Sequence, residues 1–186
     1  AGVSALGQVV SFRAETGLSL DKVLNGLNHY LPDDIAVQAA YRTSDSLDIR
    51  RHAISREYLY RIWNYPTPSP LKERHSYRVA GELDAGLMNM AANLLVGSHN
   101  LAAFASRLAK KAQSTRTVRT VHEASVSRDG REIFFRIVAV SFLPHQVRNT
   151  VGSLIKVGRG KMTIEEFKAL MASVVLGSAG PAAPGR

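Results

Sequence analysis

The chain contains no cysteine, which excludes disulfide bonds and thiolate metal ligands among its 186 residues. It also lacks any apolar run near the roughly 20 residues that a membrane-spanning helix needs. The six histidines are scattered without the spacing of a ligand set, so the sequence indicates no metal site. An absence of cysteine is typical of a cytoplasmic protein, and we expect that location.

Acidic residues are also scarce: 15 Asp and Glu stand against 24 Lys and Arg, which gives a net charge of +9. A domain with this excess attracts polyanions, most commonly nucleic acid or an anionic membrane surface. No basic amphipathic helix stands out, so the sequence favours nucleic acid, although a basic protein without such a partner stays an alternative. Glycine-rich nucleotide-binding loops and the G-x-S-x-G motif are absent.

Apolar spacing predicts an alternation of strands and helices. Strands are expected over 8–13, 35–41 and 54–65, with a hairpin of 118–127 and 132–140 around Gly130. Helices are expected after the caps Ser19, Asp84 and Thr163, over 101–108, and from Pro144. The core-facing positions predicted on them include Leu87, Ala91, Leu94, Leu95, Val147, Val151, Leu154, Ile155, Phe167, Leu170, Met171 and Val174. Together these elements predict an α+β fold with a mostly antiparallel sheet.

Three alternating prolines at positions 66, 68 and 70 exclude a central strand or helix there. We therefore place a boundary in this segment and expect three parts: 1–65, a linker over 66–82, and 83–186. The terminal residues 178–186 are rich in Ala, Gly and Pro and carry no periodic signal.

Three groups of residues could carry function. The first combines phosphate-binding and base-stacking side chains, namely Arg50, Arg51, His52, Arg56, Tyr58 and Tyr60. Core tyrosines beside a solvated basic face are an equally good interpretation of that group. The second is a basic stretch made of Lys110, Lys111, Arg116 and Arg119, interpreted either as an RNA contact or as a solvated loop.

The third group is the segment 142–149, where a helix is expected to begin. Its free backbone N–H groups could hold an anion. Arg148 flanks the apolar stripe of Val147 and Val151, and a partly buried arginine needs an anionic partner such as a carboxylate or a phosphate. A structural salt bridge would satisfy the same need.

Five segments, taken in order, resemble the tRNA pseudouridine synthase A family. They are residues 1–10, 24–35, 56–60, 97–99 and 142–154. The most specific are the Leu-Pro-Asp-Asp-Ile block at 31–35 and the Phe-Leu-Pro-His-Gln-Val-Arg-Asn-Thr-Val-Gly-Ser-Leu block at 142–154. The first residues are similar to the back half of the family's nucleophile motif, Gly-Arg-Thr-Asp-Ala-Gly-Val-His-Ala-x-Gly-Gln-Val.

The resemblance implies a pseudouridine synthase fold built of two RRM-like α/β halves, with the first half incomplete in residues 1–65. It implies an isomerase that converts uridine to pseudouridine in the anticodon stem-loop of tRNA, without a metal or an organic cofactor. The target base must leave the stack to be reached. The resemblance further implies tRNA as the partner and a homodimer that binds it across both subunits.

By position, the resemblance gives roles to five residues. Tyr58 would pack on the target base and help to handle its proton, and Arg148 would pair with the catalytic carboxylate and keep it ionised. Arg50, Asn28 and His145 match motif residues near the substrate, and His145 could be structural.

The sequence departs from the family pattern in ways that bear on activity. The nucleophilic aspartate would sit immediately before Ala1, and no acidic residue within the chain fits its place. Asn100 stands where the family commonly has Asp, and the strand expected after the Ala-Pro-Ala-like segment at 181–184 is absent. We therefore expect an internal fragment that is inactive alone. The alternatives are a non-catalytic basic RNA-binding module and a structural domain with an incidental charge excess.

Overall fold

A computed structural model of the chain describes residues 3–106 and 117–185. The chain forms two compact units: Leu6–Ala53, and a larger one made of Ala1–Ala5 with Ile54–Arg186. No described helix is long and apolar enough to cross a bilayer.

The smaller unit contains one regular element, helix α1 (Leu20–Tyr30), among its residues. Ser19 begins it as predicted, because its hydroxyl accepts a hydrogen bond from the Lys22 backbone N–H at 3.4 Å. The helix ends before Pro32, and none of its residues is buried.

The strands predicted at 8–13 and 35–41 are wrong: neither segment forms a strand in the structure. An apolar, β-branched run becomes a strand only where a neighbouring backbone satisfies its N–H and C=O groups. In 8–13 the residues Val9, Val10 and Phe12 are 63%, 75% and 65% exposed.

A five-stranded sheet organises the larger unit. Its strands are β1 (Arg56–Trp63), β2 (Tyr77–Arg78), β3 (Gly97–Asn100), β4 (Val118–Asp129) and β5 (Glu132–Ala139). Their order is β2-β1-β5-β4-β3, and every pairing is antiparallel except β1 with β2. The predicted α+β class, mostly antiparallel sheet and hairpin around Gly130 are confirmed.

One face of this sheet is the core. In β5 the alternate residues Ile133, Phe135, Ile137 and Ala139 are each 0% exposed. In β4 a bulge between Val121 and Glu123 adds one residue, which keeps the core residues of β4 on the same face as those of β5.

The helices of this unit are α2 (Ala85–Asn93), α3 (Gln146–Gly158) and α4 (Ile164–Ala172), and their buried residues share the core of the sheet. Asp84 caps α2 as predicted, since its carboxylate accepts from the Leu87 N–H at 2.9 Å. However, Met88 is buried in place of Leu87, which is 38% exposed. Val174 is 71% exposed rather than inward, because α4 has already ended.

Two other helix predictions need correction. Of the helix expected over 101–108, the structure has only the 3₁₀ turn Ala102–Phe104, and residues 107 and 108 lie outside the described residues. Helix α3 begins at Gln146, two residues after Pro144, because His145 has φ +62° and a left-handed backbone cannot belong to a right-handed helix.

Strand β1 precedes the proline-rich segment, yet it pairs along its whole length with β5, which follows that segment. The compact units divide near residue 53. The division into a first half over 1–65 and a second half over 83–186 concerns the internal organisation of the family's fold and stays a prediction.

The sheet face opposite the core carries an ion-pair network. Arg136 of β5 donates to Glu57 of β1, with Nε 2.7 Å from Oε1, and also pairs with Glu123 of β4. Its hydrogen bonds hold the pKa of Glu57 below the ordinary value. The network joins the three central strands, and β1 carries Tyr58 and Tyr60.

Replacing Thr163 with alanine should lower the free energy of unfolding by about 1 kcal/mol, since it removes half of a capping box. The Thr163 hydroxyl accepts from the Glu166 N–H at 3.1 Å, and the Glu166 carboxylate accepts from the Thr163 N–H at 2.8 Å. Urea denaturation would measure the loss, with exposed Thr67→Ala as the control. Equal stability of the two variants would contradict this role of the cap.

Candidate active site

The core of the sheet opens to solvent along β1. The side chains of Tyr58, Tyr60 and Ile62 share one face of the strand, and their exposure falls from 40% to 7% to 0%. Tyr58 packs edge-on against Phe142, with ring centroids 5.0 Å apart and planes at 89°. The result is a braced aromatic surface at the mouth of the core, which is suited to stacking on a flat ring.

Arg148 lies in the first turn of α3 and is half-buried. Its Nε donates to the Ala183 carbonyl at 2.6 Å, and the Ala183 N–H donates to the Arg148 carbonyl at 3.0 Å. Five ion pairs are found within residues 3–106 and 117–185, and none of them includes Arg148. A structural salt bridge to Arg148 is therefore not seen in that part of the chain.

The segment 183–185 gathers the other residues of the site. The Tyr60 hydroxyl donates to the Pro184 carbonyl at 2.7 Å, directly beside the carbonyl that Arg148 holds. A Cβ built on Gly185 would lie 3.8 Å from Arg148 Nη1 and 3.8 Å from Val3 Cγ2. Val3, the first described residue, and the Arg148 guanidinium group therefore both border Gly185.

Buried amide side chains support the start of α3. The Gln146 carbonyl oxygen accepts from the Leu143 N–H at 2.8 Å, in a residue that is only 1% exposed. The Asn149 amide donates to the carbonyls of Phe104 and Ala105 at 2.7 and 3.1 Å. Both residues lie in the predicted segment 142–149, but no role was predicted for either, because an amide that bonds to backbone leaves no periodic signal in the sequence.

His145 precedes α3 and is exposed. Its side chain makes no capping hydrogen bond, while its backbone carbonyl accepts from the Asn149 N–H at 2.9 Å. The structure therefore shows a structural role for its backbone. A substrate contact by its imidazole stays a prediction.

Asn28 and Arg50 belong to the smaller unit. The Asn28 side-chain amide donates to the Val37 carbonyl at 2.9 Å and accepts from the Val37 N–H at 2.7 Å. It thus satisfies both backbone groups of Val37, as the backbone of a neighbouring strand would. The Asp48 carboxylate accepts from the N–H groups of Arg51 and Arg50, which lowers the pKa of Asp48 and shapes the loop that presents Arg50. Substrate contacts by Asn28 and Arg50 stay predictions.

The predicted basic stretch falls mostly outside the described residues, namely at Lys110, Lys111 and Arg116. Arg119 lies within β4, opposite His99 of β3, rather than in a loop. Partial burial lowers its pKa. An RNA contact by this stretch stays a prediction.

Known proteins match this chain over most of its length. A family model described as tRNA pseudouridine synthase matches residues 91–185. A protein named tRNA pseudouridine synthase A from Roseiflexus sp. (strain RS-1) is 39% identical over 92% of this chain and 64% of its own length. Proteins of the same name from Maricaulis maris (strain MCS10) and Wolbachia pipientis subsp. Culex pipiens (strain wPip) are 39% and 36% identical over 98% of the chain, which spans 73% and 74% of their lengths.

Proposed function

Because the chain belongs to the tRNA pseudouridine synthase family, we propose that its activity is the isomerisation of uridine to pseudouridine in the anticodon stem-loop of tRNA. The observation that carries the proposal is Arg148, which is half-buried and has no described carboxylate partner. Its Nε donates to the Ala183 carbonyl, and the next carbonyl, of Pro184, accepts from Tyr60, which lies two residues from Tyr58 on the same face of β1. A half-buried arginine without a carboxylate partner can stabilise a negatively charged catalytic group beside a bound base.

The reaction needs no external oxidant or reductant. The bond between N1 of uracil and C1′ of the ribose breaks, and a carboxylate assists its cleavage. The base turns within the pocket and rejoins C1′ through C5. C5 then loses its proton, and N1 carries one in the product.

Different residues of the site would perform different parts of this reaction. Tyr58 would stack on the uracil after it leaves the helical stack, and its hydroxyl would help to move a proton. Arg148 would hold the carboxylate ionised, because a nearby cation favours the charged form where solvent is scarce. Arg50, Asn28 and His145 would contact the substrate.

We propose that the carboxylate comes from an aspartate directly in front of Ala1, and that the 186 residues alone are inactive. The position of Val3 supports this, since Val3 and Arg148 border the same residue, Gly185. A residue shortly before Val3 could reach the guanidinium.

The excess of basic residues supports tRNA as the partner, and Lys110, Lys111, Arg116 and Arg119 would contribute to binding it. We propose a homodimer that binds tRNA across both subunits and works in the cytoplasm. The support for these two points is family membership.

Release of tritium from tRNA transcribed with [5-³H]uridine tests the activity, since C5 loses its hydrogen in the reaction. Three forms are compared: the 186-residue chain, the chain extended by a segment ending in Gly-Arg-Thr-Asp, and the same extension ending in Asn. Only the Asp form should release tritium. Release by another form would contradict the assigned nucleophile, whereas salt-dependent tRNA binding without release by the Asp form would favour the non-catalytic RNA-binding module.

A further inference from the structure

The segment 179–185, here named the strap, lies along α3 and runs towards the candidate active site. Its first carbonyl, of Ala179, accepts from Ser153 Oγ and Lys156 Nζ, each at 3.4 Å. Its later residue Ala183 is bound to Arg148, one turn nearer the helix start. Ala179 and Ala183 are 2% and 5% exposed, so the strap is packed rather than loose.

Gly152 allows this close packing. A Cβ at that position would lie 2.7 Å from the Pro181 carbonyl oxygen, a separation that real side chains do not adopt. Since the obstructing atom belongs to backbone, a larger residue would have to push the strap away from α3. The glycine therefore sets how near Ala183 comes to Arg148.

The strap also restricts how Arg148 can pair with a carboxylate. A guanidinium group has five N–H donors, and the one on Nε is already given to Ala183 at 2.6 Å. The side of the group that includes Nε is thus occupied. A carboxylate must approach the two terminal nitrogens end-on.

Tyr60 fixes the far end of the strap. Its hydroxyl donates to Pro184 at 2.7 Å, and Tyr60 itself is anchored in β1 with 7% exposure. The carbonyl held by Tyr60 and the carbonyl held by Arg148 belong to consecutive residues. Displacing one must therefore move the other.

We propose that the strap is a positioning element for Arg148, and that Tyr60 and Gly152 are the positioning residues that hold it. The two residues keep the Ala183 carbonyl where it directs the terminal nitrogens of Arg148 end-on towards the catalytic carboxylate. The catalytic part of this inference rests on the proposed function, while the effect on Arg148 does not.

The first test compares Tyr60→Phe with Tyr77→Phe in the Asp-extended form. Tyr77 lies in β2, and its hydroxyl makes no hydrogen bond within the described residues. Y60F should lower kcat for tritium release about tenfold or more, with KM for tRNA changed less than about twofold, because orientation is lost while binding is kept. Y77F should match the parent, and a Y60F variant with parental kcat would overturn the inference.

Gly152→Ala provides a second variant, with Gly26→Ala as its control. Gly26 lies in helix α1, and a Cβ there would meet nothing within 4 Å. G152A should lose at least as much kcat as Y60F, and G26A should lose none. Parental kcat in G152A would also overturn the inference.

A measurement without substrate separates this inference from the proposed function. Solvent exchange of the Arg148 Nε–H, followed by NMR in the 186-residue chain, should accelerate about fivefold in Y60F and stay unchanged in Y77F. Unchanged exchange in Y60F would overturn the strap's hold on Arg148 whether or not the Asp-extended form is active. Failure of the proposed function would appear separately, as an absence of tritium release from that form.

Discussion

Replacing Arg148 with lysine in the Asp-extended form should slow pseudouridine formation by about 100- to 1000-fold, with tRNA affinity changed less than about threefold. Lysine keeps the charge but offers a single ammonium group, which cannot hold the Ala183 carbonyl and present two parallel donors to a carboxylate. The loss should therefore fall on the chemical step. Single-turnover kinetics and filter binding would separate the two effects.

The matched control is Arg159→Lys. Arg159 caps the other end of α3, and its side chain donates from Nη2 to the Ala80 carbonyl at 3.3 Å. R159K should turn over at the parental rate. If R148K did the same, Arg148 would not be the partner of the catalytic group.

Replacing Phe135 with alanine should cost about 3–5 kcal/mol of unfolding free energy. Phe135 is 0% exposed in the central strand β5, where it lies between Tyr60 of β1 and Val126 of β4. Its removal would leave a cavity that a hydrogen-bonded sheet cannot easily close. Denaturant unfolding of the 186-residue chain would measure the cost.

Phe134 gives the control, since it is the preceding residue of the same type on the opposite face of β5. It is only partly buried, so Phe134→Ala should cost less than half as much. Similar losses for the two variants would contradict the assignment of the core to one face of the sheet.

The fold could be predicted from the sequence where the signals were local. Ser19, Asp84 and Thr163 begin helices because each needs only a nearby backbone N–H to cap. The hairpin around Gly130 was predicted for the same kind of reason, since turn chemistry and alternation lie within a short stretch. Such features depend on contacts between residues that are close in the sequence.

Features that depend on distant partners were missed. Residues 8–13 have the composition of a strand but no described strand beside them, and only tertiary pairing decides that. Val174 continues the apolar spacing of α4, yet the helix has already ended at Ala172. The strap carries no periodic signal, because it is held by hydrogen bonds to its backbone carbonyls and by its close approach to Gly152. Neither kind of contact requires apolar side chains at regular spacing.

Within the site, the sequence indicated Tyr58 and Arg148 through the family motif and through the need of a partly buried arginine for an anion. It could not show that the Arg148 Nε donates to the Ala183 carbonyl, or that the Tyr60 hydroxyl donates to the Pro184 carbonyl. Both contacts join residues far apart in the chain. The pairing of Asn28 with Val37 could not be predicted for a different reason: the Asn28 side chain, rather than a strand backbone, bonds to the N–H and C=O groups of Val37.

The most direct test of the account is to map pseudouridine in an unmodified tRNA after incubation with the Asp-extended form and with the 186-residue chain. Carbodiimide adducts read by primer extension would locate each modified position. With an aspartate before Ala1 as nucleophile, pseudouridine should be confined to the anticodon stem-loop and formed by the Asp-extended form but not by the 186-residue chain. Pseudouridine formed by the 186-residue chain, or formed only elsewhere in the tRNA, would contradict it.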